Sequence, residues 1–379
     1  MAVLLKRAKI PFILIEKNKI LGKKLLATGN GRCNIHNANT SFVNYQSTTF
    51  SKNSLSKVLD SFSFVDFEKM LKTFGLLLET KDDGRAYPLS NSAKSVLEVF
   101  LSFLEKEDFC VENEVLKITS TKNGFLLQTQ KGEINADCLI LACGSEASKK
   151  LGGSDKGLFL AKNLSLECIK TYPSLVPLCG KIALKNISGV KVYAKLTLKD
   201  ENFSLKGDLL FSDYGITGFS VLDISSKIKK DSKISIDLLP MMESASVESL
   251  LLKGVKNYPK RSPKQILCGI LNPKLAQAFV EFFNLEVLNT KTIKSLVFAL
   301  KNLEFCIEDT KGFDFAEVSG GGVSAKEIDA NTMECVRYKN LYIIGELLDV
   351  VGDRGGYNLA FAWASAYVCY KNLAQKFTS

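Results

Sequence analysis

Three residues that could contact a ligand, Glu16, Gly144 and Glu346, each come at or just after the end of a short, largely apolar run. Short runs with apolar residues on both faces are typical of buried parallel strands. In an open α/β sheet, ligands bind beyond the carboxyl ends of such strands. We therefore expect these residues, the polar loop 22–34 and the segment 346–358 to lie near one another.

Two of these groups have the type and spacing expected of a nucleotide site. Glu16 has the position of the acid that binds a ribose hydroxyl in dinucleotide-binding folds; its alternative role is a strand-end carboxylate in water. Residues 355–358 open a predicted helix, whose free N–H groups and positive dipole end suit an anion or the electron-rich edge of a flavin. A plain glycine turn before a helix is the alternative there.

His36 is the only histidine in the chain, which excludes a metal site built from several histidines. We expect His36 to stabilise its loop rather than to transfer protons. Cys33 follows Arg32 and could be a reactive thiol, although a packed or hydrogen-bonded cysteine is the preferred interpretation. The three glycines 320–322 predict either a close approach of the backbone to a ligand or a flexible turn.

The overall composition is ordinary for a soluble globular protein. Lys and Arg number 50 and Asp and Glu number 40 among 379 residues, a formal net charge of +10. The cations are spread along the chain, so charge alone does not favour nucleic-acid binding. The ten cysteines form no C-x-x-C pair, and the sequence shows neither a signal peptide nor an apolar run of about 18 residues. We expect a reducing, cytoplasmic location, no metal and no membrane contact.

The pattern of predicted secondary structure changes twice along the chain. Residues 1–176 have α/β character, with a β-meander between 115 and 142. Residues 177–305 combine half-buried strands with helical segments that are interrupted by prolines. Residues 306–379 return to α/β character and end in a helix that starts at Tyr357. The pattern predicts an α/β domain built from both chain ends, 1–176 and 306–379, with an inserted β-plus-helical domain at 177–305.

A glycine-rich phosphate loop is absent from the start of the sequence. No G-x-G-x-x-G stands between a first strand and a first helix, and the predicted helix at 1–9 has no strand before it. In a doubly wound fold that first strand lies in the middle of the sheet. We therefore expect an interrupted sheet.

Several motifs, in order along the chain, resemble those of one bacterial flavoprotein family. Residues 22–34 (GKKLLATGNGRCN) resemble its G-[RK]-K-[LF]-x-x-[ST]-G-x-G-R-C-N signature, and residues 207–218 resemble a second segment in which Asp213 stands where His is common. Residues 345–350 and 355–359 resemble its closing FAD motif. The family includes the BaiN and YhiN proteins and is labelled as NAD(P)/FAD-dependent or aminoacetone oxidase-like. The resemblance runs from residue 1 to about 374.

This resemblance implies a glutathione-reductase-like FAD-binding fold, a parallel sheet plus β-meander, with an inserted β-plus-helical domain. Glu16 would hold the adenosine ribose, and Gly144 would approach the cofactor after a core strand, where Ala142-Cys143-Gly144 departs modestly from the family's A-T-G. The remaining cofactor-binding residues that it implies are Lys23, Lys24, Thr28, Gly29, Gly31, Arg32, Cys33, Asn34, Gly345, Glu346, Asp349, Gly355, Gly356, Tyr357, Asn358 and Leu359.

The function implied by the resemblance is an FAD-dependent oxidoreductase that acts on a small organic substrate by hydride transfer. The substrate-side candidates are Arg85, Tyr87, Asp213 and Tyr214, on position alone. NAD(P)H would be a transient electron donor, because no second dinucleotide fingerprint is visible. An amine oxidase of the aminoacetone type, a non-catalytic remnant and an RNA-associated protein are the alternatives.

The family pattern also bears on the start of the chain. In the family, a strand and a G-x-G-x-x-G loop precede the first helix, and Met1 falls inside that helix. The resemblance therefore predicts either a true start upstream of Met1 or a truncated gene.

Overall fold

The computed structural model describes residues 1–228 and 232–378. The chain forms two compact units, Met1–Pro173 with Glu317–Ser379, and Ser174–Ala316. The sequence placed the divisions after residues 176 and 305. The second division differs because residue 305 lies within a strand, Leu303–Thr310, that belongs to the inserted unit.

The first part of unit 1 alternates short helices and short strands. Ser51 and Ser63 cap two of the helices by accepting a hydrogen bond from a backbone N–H of the first turn, which is the usual way to satisfy these groups. In chain order the elements are α1 (Ala2–Arg7), β1 (Leu14–Ile15), α2 (Lys23–Ala27), β2 (His36–Asn37), β3 (Tyr45–Gln46), α3 (Lys52–Asp60), α4 (Phe64–Thr73), β4 (Leu78–Thr80), β5 (Arg85–Pro88), α5 (Ala93–Leu101), β6 (Phe109–Cys110), β7 (Val115–Thr121), β8 (Gly124–Thr129), β9 (Gly132–Ala136), β10 (Leu139–Leu141), α6 (Lys156–Asn163) and β11 (Cys168–Ser174).

Unit 2 is a closed six-stranded barrel with helices. Its strands are hydrogen-bonded in the order β12-β15-β14-β13-β16-β17, and alternate residues such as Leu196, Ile236 and Phe305 are fully buried inside it. The elements are β12 (Leu178–Ile182), β13 (Lys191–Leu198), β14 (Phe203–Ser212), β15 (Gly215–Thr217), α7 (Phe219–Ser225), β16 (Lys233–Asp237), α8 (Ser244–Asn257), α9 (Pro263–Leu267), α10 (Pro273–Phe283), α11 (Thr290–Lys301) and β17 (Leu303–Thr310).

The chain then returns to unit 1 through β18 (Val318–Val323), β19 (Leu341–Ile343), β20 (Val351–Gly352) and α12 (Tyr357–Thr378). Strands β10 and β19 pair in parallel, as do β1 and β6, and the meander β7-β8-β9 is antiparallel. The two parallel pairs are separate sheets in the described residues. The predicted class, an α/β FAD-binding fold with a meander and an inserted β-plus-helical unit, is confirmed.

The three glycines 320–322 lie in strand β18 rather than in a turn. A Cβ at Gly320 would collide with the ring of Tyr172, and one at Gly321 with the backbone of Lys170. Gly320 and Gly321 therefore make room for β11, the hydrogen-bonded neighbour of β18, and Gly322 lies against the backbone of Leu347 and Leu348. Among the described residues, no helix is both long enough and apolar enough to span a membrane.

Candidate functional site

The loop that follows α2 is built from tight, left-handed turns. Gly29 has φ +57°, Gly31 has φ +84° and Cys33 has φ +62°. The Cys33 N–H donates to the carbonyl oxygen of Thr28 at 2.9 Å, and the Thr28 hydroxyl donates to the carbonyl oxygen of Leu25 at 2.6 Å. Glycine is favoured where φ is positive, so the spacing of the motif sets the shape of this loop.

Two of the substrate-side candidates lie beside this loop on strand β5. The guanidinium carbon of Arg32 stands 5.3 Å from the centroid of the Tyr87 ring, and Tyr87 is buried. The Nε of Arg85 donates to Asp83 Oδ2 at 2.7 Å. That hydrogen bond lowers the pKa of Asp83 below its ordinary value. Both tyrosine and arginine therefore already have protein partners.

Lys24, Gly144 and Glu346 come together, as expected from their positions in the sequence. The Nζ of Lys24 lies 3.2 Å from Glu346 Oε2, and the backbone N–H of Ser319 donates to Glu346 Oε1 at 3.2 Å. A Cβ at Gly144 would be 3.7 Å from Glu346 Oε2. Glu346 thus connects the motif loop, the end of β10 and the glycine strand β18.

A small cavity opens beside these residues. Its lining includes Gly144, Glu146, Ser319, Gly321 and Glu346. The Thr171 hydroxyl donates to Glu146 Oε1 at 2.8 Å. Sequence reasoning missed Glu146 and Ser319, although Glu146 follows the end of β10 closely enough that its position could have identified it.

Glu16 lies at the end of β1, where the sequence placed it. Its Oε1 accepts two hydrogen bonds from Asn18, from the backbone N–H at 2.8 Å and from Nδ2 at 2.6 Å. These bonds form a local turn and hold the carboxylate in place. A role in ribose binding stays a prediction.

Asp349 is buried and anchors the segment 47–49. Its Oδ2 accepts from the Thr48 N–H at 3.0 Å and from the hydroxyls of Ser47, Thr48 and Thr49 at 3.2, 2.7 and 2.8 Å. One carboxylate oxygen is therefore committed to the protein itself. Contact of Asp349 with a cofactor stays a prediction that concerns its other oxygen.

The turn before α12 is held on both sides. Asn358 Oδ1 accepts from the Gly352 N–H at 2.8 Å and Asn358 Nδ2 donates to the Gly352 carbonyl oxygen at 2.8 Å. The Nδ2 of Asn37 donates to the carbonyl oxygen of Gly355 at 2.9 Å. Gly356 has φ +99°, and a Cβ there would collide with the carbonyl oxygen of His36.

The other predicted residues of this segment take part in its packing. The Tyr45 hydroxyl donates to the carbonyl oxygen of Tyr357 at 2.8 Å, and the N–H of Gly345 donates to the Ser365 hydroxyl at 3.0 Å. Lys23 begins α2, and Leu359 lies half-buried in the first turn of α12. The four predicted residues of this paragraph belong to unit 1, as does the rest of the predicted cofactor set; they are Lys23, Gly345, Tyr357 and Leu359.

Asn34 Oδ1 is buried and, in the described part of the chain, has no hydrogen-bond partner. A Cβ at Gly356 would be 3.0 Å from this oxygen, so the oxygen lies at the turn that opens α12. A buried acceptor without a donor costs about 1–3 kcal/mol. The free acceptor, the glycine turn and the helix N-terminus together fit a ligand that has both an N–H donor and an electron-rich edge, as the isoalloxazine of FAD has.

His36 and Cys33 are both packed into the protein. Burial lowers the pKa of His36 to about 4, and its Nδ1 accepts from the Asn37 N–H at 2.9 Å. The imidazole ring lies 4.7 Å from the Phe67 ring, centroid to centroid. Cys33 is fully buried, and burial raises the pKa of its thiol. The imidazole is therefore neutral and the thiol protonated at neutral pH.

Asp213 and Tyr214 belong to unit 2, where they form the turn between β14 and β15. Asp213 is exposed. The Nζ of Lys311 lies 4.3 Å from the centroid of the half-buried Tyr214 ring. These two candidates are thus in a different unit from Arg85 and Tyr87, and their part in a substrate site stays a prediction.

Comparison with known proteins identifies the family of this chain. The family model described as "HI0933-like protein Rossmann domain" matches residues 1–372. The chain is 33% identical to the 3-dehydro-bile acid delta(4,6)-reductase of Clostridium scindens, over 96% of this chain and 93% of that protein. It is 30% identical to the ribosomal RNA dihydrouridine synthase of Escherichia coli, over 95% and 91%, and 30% identical to that of Haemophilus influenzae, over 96% and 92%. The predicted resemblance to the BaiN and YhiN proteins is confirmed, and the chain belongs to the HI0933-like Rossmann family.

Proposed function

We propose that this chain is an FAD-dependent reductase that adds a hydride and a proton across a carbon–carbon double bond conjugated to a carbonyl group. The oxidoreductase class follows from the family. The observation that carries the cofactor assignment is the buried, unpartnered Asn34 Oδ1 at the Gly355–Gly356 turn. Glu346 and Lys24 lie in the same compact unit.

The residues that would hold FAD divide into two groups. Asn34 Oδ1 would accept from the N–H of the flavin ring, and the N–H groups at the start of α12 would face its electron-rich edge. Lys24 and the Gly144 turn would lie along the rest of the cofactor, with Glu16 at the adenosine ribose. When bound, FAD supplies the hydride chemistry at its ring. The protein positions that ring and keeps the local charge fixed.

The reaction class is supported by the chemistry that the two relatives' names have in common. A 3-dehydro-bile acid with double bonds at positions 4 and 6 is a conjugated ketone. Uridine becomes dihydrouridine when a ring double bond conjugated to a carbonyl is reduced. Hydride transfer to such a group would place the hydride on the carbon remote from the carbonyl, and a proton would complete the reduction. A substrate with this group would therefore suit this chain as well.

The electron donor in this proposal is NAD(P)H, bound transiently. The amine-oxidase alternative differs in the direction of electron flow, because an amine would reduce the flavin and oxygen would reoxidise it. The substrate is reached from solution, and the chain acts in the cytoplasm.

The test is anaerobic reduction of the purified, flavin-loaded chain, followed by absorbance near the flavin visible maximum. We expect NADPH or NADH to bleach the flavin and aminoacetone to leave it oxidised. Subsequent addition of an α,β-unsaturated ketone to the reduced protein, still without oxygen, should restore the spectrum of oxidised flavin. Bleaching by the amine and not by either nicotinamide would instead establish the oxidase.

A variant tests the part played by Asn34. Replacing Asn34 by Leu removes the unpaired acceptor but keeps the number and branching of the side-chain heavy atoms, so flavin retention should fall at least tenfold. Asn39→Leu is the matched control, because Asn39 lies in the same loop region and is exposed. Equal flavin retention in Asn34→Leu and the parent chain would remove the observation on which the cofactor assignment depends.

A further inference from the structure

Strand β5 places a charged side chain beside the glycine turn that opens α12. Arg85 lies opposite Asn37 in the antiparallel pair of β5 and β2, and Asn37 Nδ2 donates to the carbonyl oxygen of Gly355. A Cβ at Gly355 would be 3.6 Å from Cγ and 3.7 Å from Cδ of Arg85. The aliphatic stem of Arg85 therefore runs alongside the turn that precedes the free N–H groups of α12.

The charge of Arg85 is paired with that of Asp83. Arg85 Nε donates to Asp83 Oδ2 at 2.7 Å, and Nη2 of the same guanidinium contacts the same oxygen. Gly84 stands between the two residues with φ +82°, and a Cβ there would collide with the side chains of Asn37 and Asn39. The hydrogen bond between the two side chains lowers the pKa of Asp83 and raises the pKa of Arg85. Both groups are therefore charged at neutral pH.

The position of this ion pair is more informative than its strength. The side chains of Arg85 and Asp83 are 38% and 50% exposed, and ion pairs of this kind contribute little to stability. Both charges nevertheless act at the start of α12. The stem of Arg85 lies beside Gly355. Burial raises the pKa of Tyr357, the first residue of α12, and the negative charges of Asp353 and Asp83 raise it further. A cation and an anion are thus held together where the helix begins.

We propose that the Asp83–Arg85 pair sets the reduction potential of a flavin bound at this turn, with Arg85 raising the potential and Asp83 lowering it. A hydride carries two electrons and one proton, so its addition to a neutral ring leaves one negative charge there. A cation near the ring stabilises that charge and an anion opposes it. The inference rests on the proposed binding of FAD. It assigns Arg85, a substrate-side candidate by sequence, to the cofactor instead.

The experiment measures the potential of the bound flavin against a reference dye. The flavin-loaded chain is reduced slowly without oxygen by xanthine and xanthine oxidase, so that neither a nicotinamide nor an unsaturated ketone is needed. The test variants are Arg85→Gln and Asp83→Asn, which break the same ion pair but remove opposite charges. The matched controls are Lys72→Gln and Glu68→Gln, which remove the same two charges from a partly exposed ion pair on α4.

We expect Arg85→Gln to lower the ratio of reduced to oxidised flavin about tenfold at a fixed dye potential, which is a shift of about 30 mV to a more negative value for a two-electron couple. Asp83→Asn should shift the potential by a similar amount in the opposite direction. The double variant should lie near the parent chain, and Arg85→Lys, which keeps the cation, between Arg85→Gln and the parent. The controls should change the ratio by less than about twofold. If Arg85→Gln releases the flavin, Asp83→Asn keeps the guanidinium and still carries the test.

Shifts of opposite sign separate an electrostatic role from a structural one, because loss of a purely structural ion pair would move the potential in the same direction in both variants. No shift, shifts in one direction, or control shifts as large as those of the test variants would overturn the proposal. A parent chain that retains no flavin would overturn it together with the cofactor assignment, and its missing visible absorbance identifies that case. A flavin whose potential responds as expected, but which neither NADPH nor NADH reduces, would refute the reductase alone.

Discussion

The ammonium group of Lys24 lies 3.2 Å from the carboxylate of Glu346, a residue 322 positions later in the sequence. The ion pair joins the motif loop to the segment that leads into α12. Because Glu346 also accepts from the Ser319 N–H, one side chain holds three parts of the site in register.

Removing that side chain should loosen the site. We expect Glu346→Ala to weaken flavin retention about tenfold and Glu346→Gln to weaken it less, since Gln keeps an acceptor for the Ser319 N–H. The pair is partly exposed, with side-chain exposures of 36% for Lys24 and 21% for Glu346. The free energy of unfolding should therefore change by no more than about 1 kcal/mol. Titration with FAD and urea denaturation check both statements. Glu79→Ala, which removes an exposed partner of Lys81, should change neither.

Gly356 should tolerate no side chain. Its φ of +99° and the collision of a Cβ with the His36 carbonyl oxygen act together. We expect Gly356→Ala to lower the free energy of unfolding by at least about 2 kcal/mol and to abolish flavin retention. Gly75→Ala is the control: Gly75 has φ +83° with nothing within 4 Å of its Cβ, so about 1 kcal/mol is expected there. Equal costs at the two positions would refute the role of the collision.

His36 predicts the pH dependence of stability. Its folded pKa of about 4 lies below the ordinary 6.5, so the unfolded chain binds a proton that the folded chain does not. Above about pH 7 His36 is neutral in both states and does not lower the free energy of unfolding. As the pH drops through 6.5 towards 4, the free energy of unfolding falls by up to about 3 kcal/mol. Urea denaturation at several pH values, for the parent chain and His36→Asn, isolates this difference.

The same residue offers a direct check. Because His36 is the only histidine, the folded chain should show one imidazole signal in an NMR titration. A midpoint near 6.5 in the folded protein would contradict the buried, neutral imidazole.

Cys33 should be unreactive in the folded protein. Its thiol is fully buried and its pKa is raised by burial, so little thiolate is present at neutral pH. Cys268, which is exposed, provides the comparison within the same molecule. We expect iodoacetamide at pH 8 to label Cys268 in minutes and Cys33 only after urea is added, as read by peptide mass spectrometry. Similar labelling rates at the two positions under native conditions would argue for a reactive thiol.

Features with local causes could be predicted from the sequence. Helix α12 begins at Tyr357, where the sequence placed it, because the glycine-rich turn before it marks its start. The clustering of Lys24, Gly144 and Glu346 followed from a general rule about strand ends. A strand at the start was placed correctly, but it comprises Leu14–Ile15 only and is half-buried rather than buried, with Ile13 of the same apolar run 42% exposed.

Features that depend on distant partners could not be predicted. Asp349 gives one carboxylate oxygen to Thr48 and Thr49, about 300 residues earlier in the chain, and no local pattern identifies such a pair. The glycines 320–322 were assigned to a ligand contact or a turn because glycine signals only the need for space. The structure shows that Tyr172 and the backbone of β11 take the space at Gly320 and Gly321, while Gly321 and Gly322 also line the cavity beside Gly144 and Glu346.

The ends of the inserted unit have a consequence for the rest of the chain. Leu178 pairs with Thr310 across β12 and β17, and the N–H of Lys311 donates to the carbonyl oxygen of Pro177 at 2.9 Å. The unit spans residues 174–316, or 143 residues, yet closure of the barrel brings its two ends side by side. The entropic cost of closing so long a loop is therefore offset by the free energy of folding of the insertion itself. For unit 1, the whole insertion then acts as a connection of a few residues.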